Sequence, residues 1–138
     1  MTFHYLLMAN QAIYQRRLME VLKDTELTTG QPKVLDYLRD HDGATQKEIA
    51  AACYIEAATI TSVLNGMEAK GLIERKRLNG NRRSFHVFMT GKGQKLEQRV
   101  HEIFLKLEEE TFEGISQEKR EEFLELFSKI HRNMIPSE

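Results

Sequence analysis

TQKEIAAACYIEAATITSVLNGMEAKGLIERKR, residues 45–77, contains two helix starts, one helix stop and the first half of a hairpin. Thr45 with Glu48 three residues on is a capping box, in which each residue satisfies an orphan donor near the other. It opens a short helix from Gln46 to about Cys53, with Ile49, Ala50 and Cys53 turned inward. Glu56 and Ala57 lead into a second helix. There Ile60, Val63, Leu64 and Met67 recur at helical spacing, while Thr59, Thr61, Ser62 and Asn65 take the other side. Lys70-Gly71 places a cation in the last turn and a glycine just past it, the usual stop. Two short helices joined this way form a helix-turn-helix pattern.

Beyond the stop, Leu72 to Arg77 and Phe85 to Met89 read as strands around Asn79-Gly80-Asn81-Arg82-Arg83, a glycine-bearing hairpin tip. Helix-turn-helix followed by a basic hairpin is a winged helix. Upstream, Leu6, Ile13, Leu18, Val21 and Leu22, with Tyr5, Leu7, Met8 and Tyr14 beside them, predict a helix over about 3–24 whose first half is apolar nearly all round. Thr28-Thr29-Gly30 interrupts it. Gln31-Pro32 then places Pro in the first turn of a helix that buries Val34, Leu35 and Leu38.

Downstream, Thr90-Gly91 restarts helix at about 91–112 with Leu96, Val100, Ile103, Phe104 and Leu107 on one stripe. Ser116 opens a last helix with Phe123, Leu124, Phe127, Ile130 and Met134 on another. The expected fold is mainly α with a small β-hairpin wing. A winged helix-turn-helix core at about 30–90 is flanked by dimerisation arms, 1–28 and 91–138, in a single domain spanning 1–138. So small a core cannot cover all these arms, which predicts a homodimer that buries Leu6, Ile13, Leu107, Phe123, Phe127 and Ile130.

The chain has 138 residues and a formal net charge of −1, but the charge is uneven along it. Residues 70–95 carry 8 basic groups and 1 acidic, while 1–69 carry 6 and 9 and 96–138 carry 6 and 11. Concentrated positive charge of this kind makes a place for a polyanion, and a solvated basic hairpin is the bland alternative. One cysteine excludes an intramolecular disulfide framework and fits a reducing cytoplasm. No run of about eighteen apolar residues and no leader-like start appear, so neither secretion nor membrane insertion is expected.

Several stretches resemble one known family: Thr45-Gln-Lys-Glu-Ile-Ala50, Ala58-Thr-Ile-Thr61, Met67-Glu-Ala-Lys-Gly-Leu-Ile-Glu-Arg75, Arg82-Arg83-Ser84 and Met89-Thr90-Gly91-Lys92-Gly93. In these the chain resembles the MarR family (multiple antibiotic resistance regulator type) of winged-helix transcription factors, strongly over about 31–96. The resemblance implies a homodimer bound to double-stranded DNA at a palindromic operator, usually a repressor, released by a small-molecule effector. It makes the helix of about 56–70 the recognition helix, with Thr59, Thr61, Ser62 and Asn65 facing base edges or phosphates. Thr45 and Gln46 stand at the start of the helix that crosses the backbone. Arg83 would enter the minor groove, with Arg82 and Lys76 at the backbone and Arg75 and Asn81 supporting the wing. Two positions depart from the pattern: Asn81 where many members carry Asp, and Ser62 where many carry a basic residue.

The remaining features have plainer readings beside the functional ones. Cys53 stands among Ala51, Ala52 and Tyr54 with no neighbouring cation, as a small buried residue rather than a redox sensor. The five histidines include no pair at i, i+3 or i+4, so no metal site is expected. Tyr5, Met8, Tyr14 and Tyr37 are candidates for an effector pocket, or form ordinary core. No nucleophile–base pair or phosphate loop stands out, so neither catalysis nor a cofactor is expected. The alternative function is a winged-helix module whose hairpin docks on an acidic protein.

Overall fold

A computed structural model describes residues 1–78 and 84–136. Among these residues six helices and two strands follow in the order α1 (Phe3–Val21), α2 (Gln31–His41), α3 (Gln46–Ala52), α4 (Ala57–Ala69), β1 (Ile73–Lys76), β2 (His86–Met89), α5 (Gly91–Thr111) and α6 (Gln117–Met134). This is the winged helix-turn-helix arrangement expected from the sequence. Two compact units divide the chain, residues 1–104 and 105–138.

In the first unit, each boundary has a local cause. Thr2 caps α1, its hydroxyl accepting from the Tyr5 amide. Pro32 sits in the first turn of α2, where no amide hydrogen is needed. Thr45 Oγ accepts from the Glu48 amide at 3.1 Å, the N-cap half of the expected capping box, and donates to the Glu48 carboxylate at 2.9 Å, which meets the hydroxyl in place of the Thr45 amide. At the end of α4, Gly71 adopts φ +74°, a conformation open to glycine at no steric cost. Its amide and that of Leu72 bond back to the Glu68 and Met67 carbonyls.

The strands pair antiparallel, with Ile73 opposite Met89 and Lys76 opposite His86. The stretch before α3 also pairs with β2. Gly43 donates to the Val87 carbonyl at 2.8 Å, Val87 to Ala44 at 2.9 Å and Gln46 to Phe85 at 3.2 Å. Asp42 accepts from the Met89 amide at 2.8 Å. The start of α3 is thereby tied to the wing strand.

The core of this unit joins Leu22, Leu35, Leu38, Ile49, Ile60, Leu64, Met67, Leu72, Ile73, Val87 and Val100, all buried. Each large side chain removed from water contributes about 1.5–3 kcal/mol. At the edge of this core Glu97 of α5, buried, accepts from the exposed Arg39 of α2 at 2.9 Å. The junction of β2 and α5 depends on Thr90, whose hydroxyl donates to the Gly71 carbonyl at 2.6 Å and accepts from the Gly93 amide at 3.0 Å.

In the second unit, Ser116 caps α6 by accepting from the Lys119 amide at 3.2 Å. Phe112 and Phe123 meet edge to face at 5.9 Å, and Phe123 stacks on Phe127 at 5.3 Å. Arg120 lies over the Phe112 ring and pairs with Glu108 and Glu109. Leu107 is buried, yet α6 contains no buried residue at all.

Candidate functional site

Four residues of α4 were expected to face outward, and all four are exposed. Two belong to hydrogen-bond chains that reach other elements. Gln46 Nε2, at the start of α3, donates to Thr61 Oγ at 2.8 Å, and Thr61 in turn reaches the Ala57 carbonyl at 3.3 Å. Four residues further along α4, Asn65 Oδ1 accepts from Arg75 Nη2 at 2.7 Å. Arg75 also holds Glu68 through Nε and Nη2, both at 3.2 Å. That guanidinium keeps the Glu68 carboxyl below its usual range, chiefly by hydrogen bonding. Thr59 and Ser62 stand exposed outside these chains. The exposed face therefore combines free hydroxyls with side chains already oriented from α3 and β1.

Between α3 and α4 the chain turns through Tyr54, at φ +53° the one non-glycine left-handed residue among the described residues. Its ring is about two-thirds exposed, and the next amide, that of Ile55, bonds back to the Ala50 carbonyl at 2.9 Å.

On the wing strands, Lys76 lies 5.6 Å from the Phe88 ring centre and 3.5 Å from the Glu74 carboxylate, while Arg77 covers the Phe85 ring at 4.6 Å. Both cations remain exposed. Arg75, expected to support the wing, spends its donors on α4. Asn81, Arg82 and Arg83 lie outside the described residues.

Cys53 is buried, and burial pushes its thiol up from the ordinary value. Sequence reading missed a cation beside it: Lys33 Nζ donates to the Cys53 carbonyl at 3.0 Å, and the thiol donates to the Lys33 carbonyl at 3.7 Å. The ammonium serves the backbone rather than a thiolate. Among the described residues no group of three or more His, Cys, Asp or Glu side chains could hold a metal ion. No single helix among them is long and apolar enough to cross a membrane.

Of the residues considered for an effector pocket, Tyr37 stacks flat on His41 at 4.3 Å, whereas Tyr5 and Met8 are exposed on α1. None of the four lines the open cavity of about 520 Å³ formed by Asp24, Lys70, Leu72, Lys92, Lys95, Leu96 and Arg99 with their neighbours. Of the residues expected to dimerise, Leu6, Ile13, Phe123 and Phe127 are 40–50% exposed and Ile130 is half-buried. Leu107 is already covered within the chain.

Residues 27–85, which hold α2 to β1 and the start of the second wing segment, match the sequence model of the MarR family. The solved MepR–DNA complex of S. aureus superposes with a TM-score of 0.89 at 26% identity, covering 98% of this chain and 99% of that one. Residues 27–85 are a MarR-family segment. CouR, a transcriptional repressor bound to a 23-mer DNA duplex, has a TM-score of 0.84 at 25% identity over 94% of this chain and 92% of its own. PcaV of Streptomyces coelicolor, solved with its natural ligand, shares the fold at 18% identity, with a TM-score of 0.81 and coverage of 94% and 92%. These structural matches extend beyond the 27–85 segment to both sets of terminal helices.

Proposed function

We propose that this chain is a MarR-type, sequence-specific DNA-binding transcriptional regulator of the cytoplasm, not an enzyme. It acts as a homodimeric repressor on a palindromic operator and is released by a small-molecule effector. The observation that carries the reading is the polar, exposed face of α4, steadied by α3 and β1 and set beside a hairpin sequence rich in arginine. Short hydroxyl and amide side chains on a helix suit base edges in a major groove, and cations on the hairpin suit phosphates and the minor groove. The DNA complexes of MepR and CouR support the same use of the fold. The apolar side chains exposed on α1 and α6 support a second copy as their cover. A two-fold dimer would set the two α4 helices against half-sites about one helical turn apart. An effector needs only to bind two dimer geometries unequally.

The test begins with fragments selected from genomic DNA by the wild-type protein. Arg83→Ala should weaken binding to them by on the order of 1–3 kcal/mol. Unchanged affinity at two salt concentrations would remove the hairpin from the interface. Binding that unrelated duplex DNA does not compete for, together with capture of an acidic protein, would favour the docking-module alternative.

A further inference from the structure

We propose that Arg75 is a positioning residue for Asn65: it holds the Asn65 carboxamide with its oxygen toward β1, so that Asn65 reads DNA as a hydrogen-bond donor and selects guanine over adenine. The inference rests on the DNA-binding reading above. A carboxamide offers one acceptor atom and two N–H donors, and a guanidinium offers donors only. The Asn65 atom 2.7 Å from Arg75 Nη2 is therefore its carbonyl oxygen, since the flipped amide would set donor against donor.

The orientation is anchored. Arg75 is clasped by both Glu68 carboxylate oxygens at 3.2 Å, and its side chain is only 17% exposed. Hydrogen bonds with an ionised partner are roughly twice as strong as neutral ones, so the amide of Asn65 starts from one orientation rather than two. With the oxygen held on the strand side, the group left for the exposed face of α4 is the NH₂.

That polarity selects among bases. An unrestrained Asn pairs best with adenine, accepting from N6 and donating to N7 through one edge of the amide. An amide that leads with its N–H donors meets two adjacent acceptors on guanine, N7 and O6, but an acceptor beside a donor on adenine. Glu68 and Arg75 thus reach the DNA through Asn65 without touching it.

The experiment is selection from randomised duplexes with wild type, Asn65→Asp, Arg75→Met and Arg75→Lys, with circular dichroism on each. The wild type should enrich guanine at one position of each half-site. Asn65→Asp keeps an acceptor for Arg75 but has no donor, and should lose that preference by roughly tenfold. Arg75→Met frees the amide and should move the preference toward adenine, and Arg75→Lys, which restores a donor, should move it back. 7-Deazaguanine at the same position should weaken the wild type and leave Asn65→Asp unaffected, which decides the matter even if Arg75→Met does not fold.

An unchanged base profile for Asn65→Asp would overturn the proposal, because a residue that merely anchors Arg75 still does so as Asp. Failure of the wild type to enrich any sequence would instead defeat the DNA-binding reading and this one with it.

Discussion

Gly93 closes the join between the entry to β1 and α5. A Cβ built there would lie 2.0 Å from the Leu72 carbonyl oxygen and 3.0 Å from its carbon, both backbone atoms. Relief requires separating α5 from the entry to β1 by about 1 Å, and neither side has a flexible end that can swing away. Leu72 is buried, and its carbonyl accepts from the Thr90 amide at 3.0 Å, so the displacement also strains that bond.

Forced overpacking of a closed site costs about 3 kcal/mol at the upper end of its usual range, and a compromised backbone hydrogen bond about 1 kcal/mol. Alanine returns about 1 kcal/mol of helix propensity. Gly93→Ala should therefore lose about 3 kcal/mol. With a urea dependence of about 2 kcal/mol per molar, the unfolding midpoint falls by about 1.5 M.

Gly91→Ala is the control, two residues earlier in the same turn with nothing within 4 Å of its Cβ position. It should be neutral or gain up to about 1 kcal/mol. Both are to be measured by urea unfolding at one fixed protein concentration, because self-association adds to apparent stability. Equal midpoints for the two variants would refute the argument.

Glu68→Gln should cost less than about 1 kcal/mol at neutral pH, since the pair with Arg75 is partly exposed. Arg75 lowers the folded-state pKa of Glu68, so the stabilisation is present above the unfolded value near 4.3 and disappears as pH falls through the folded value; a gap between variant and wild type that persists at pH 2 would contradict this. Tyr54→Gly should raise stability by about 0.5–1 kcal/mol by relieving the left-handed backbone at φ +53°, and a loss in thermal unfolding would mean the ring's contacts outweigh the strain. Sedimentation at micromolar concentration should give twice the 16.1 kDa chain mass. Phe127→Asp, on the exposed stripe of α6, should shift that mass toward one chain and weaken DNA binding in parallel, whereas a monomeric wild type would defeat the dimer.

Much of this fold is written locally. The capping of α3 needs only Thr45 and Glu48, the end of α4 only Gly71, and the buried face of α4 only the recurrence of Ile60, Leu64 and Met67. Such signals act within a turn or two of chain, so reading along the sequence finds them. The outward face of α4 was legible for the same reason, as the complement of its apolar stripe. The Thr90-Gly91-Lys92-Gly93 run could be matched to a family, but its reason is tertiary: Gly93 is small because the Leu72 carbonyl occupies the space a side chain would need.

The same division holds at the candidate site. Helical spacing placed Thr61 and Asn65 on the exposed face of α4 and the family resemblance set Gln46 beside them, whereas their hydrogen-bond polarity was decided by partners that no local pattern reveals. Gln46 meets Thr61 fifteen positions away, and Asn65 meets Arg75 ten positions away on a strand. Lys33 reaches Cys53, and Arg39 reaches the buried Glu97 fifty-eight positions on. Sequence determines which face of each element is apolar, because side-chain direction follows from backbone period alone. Which polar groups then satisfy one another depends on distances of about 3 Å between elements, and only the packing of the whole core sets those.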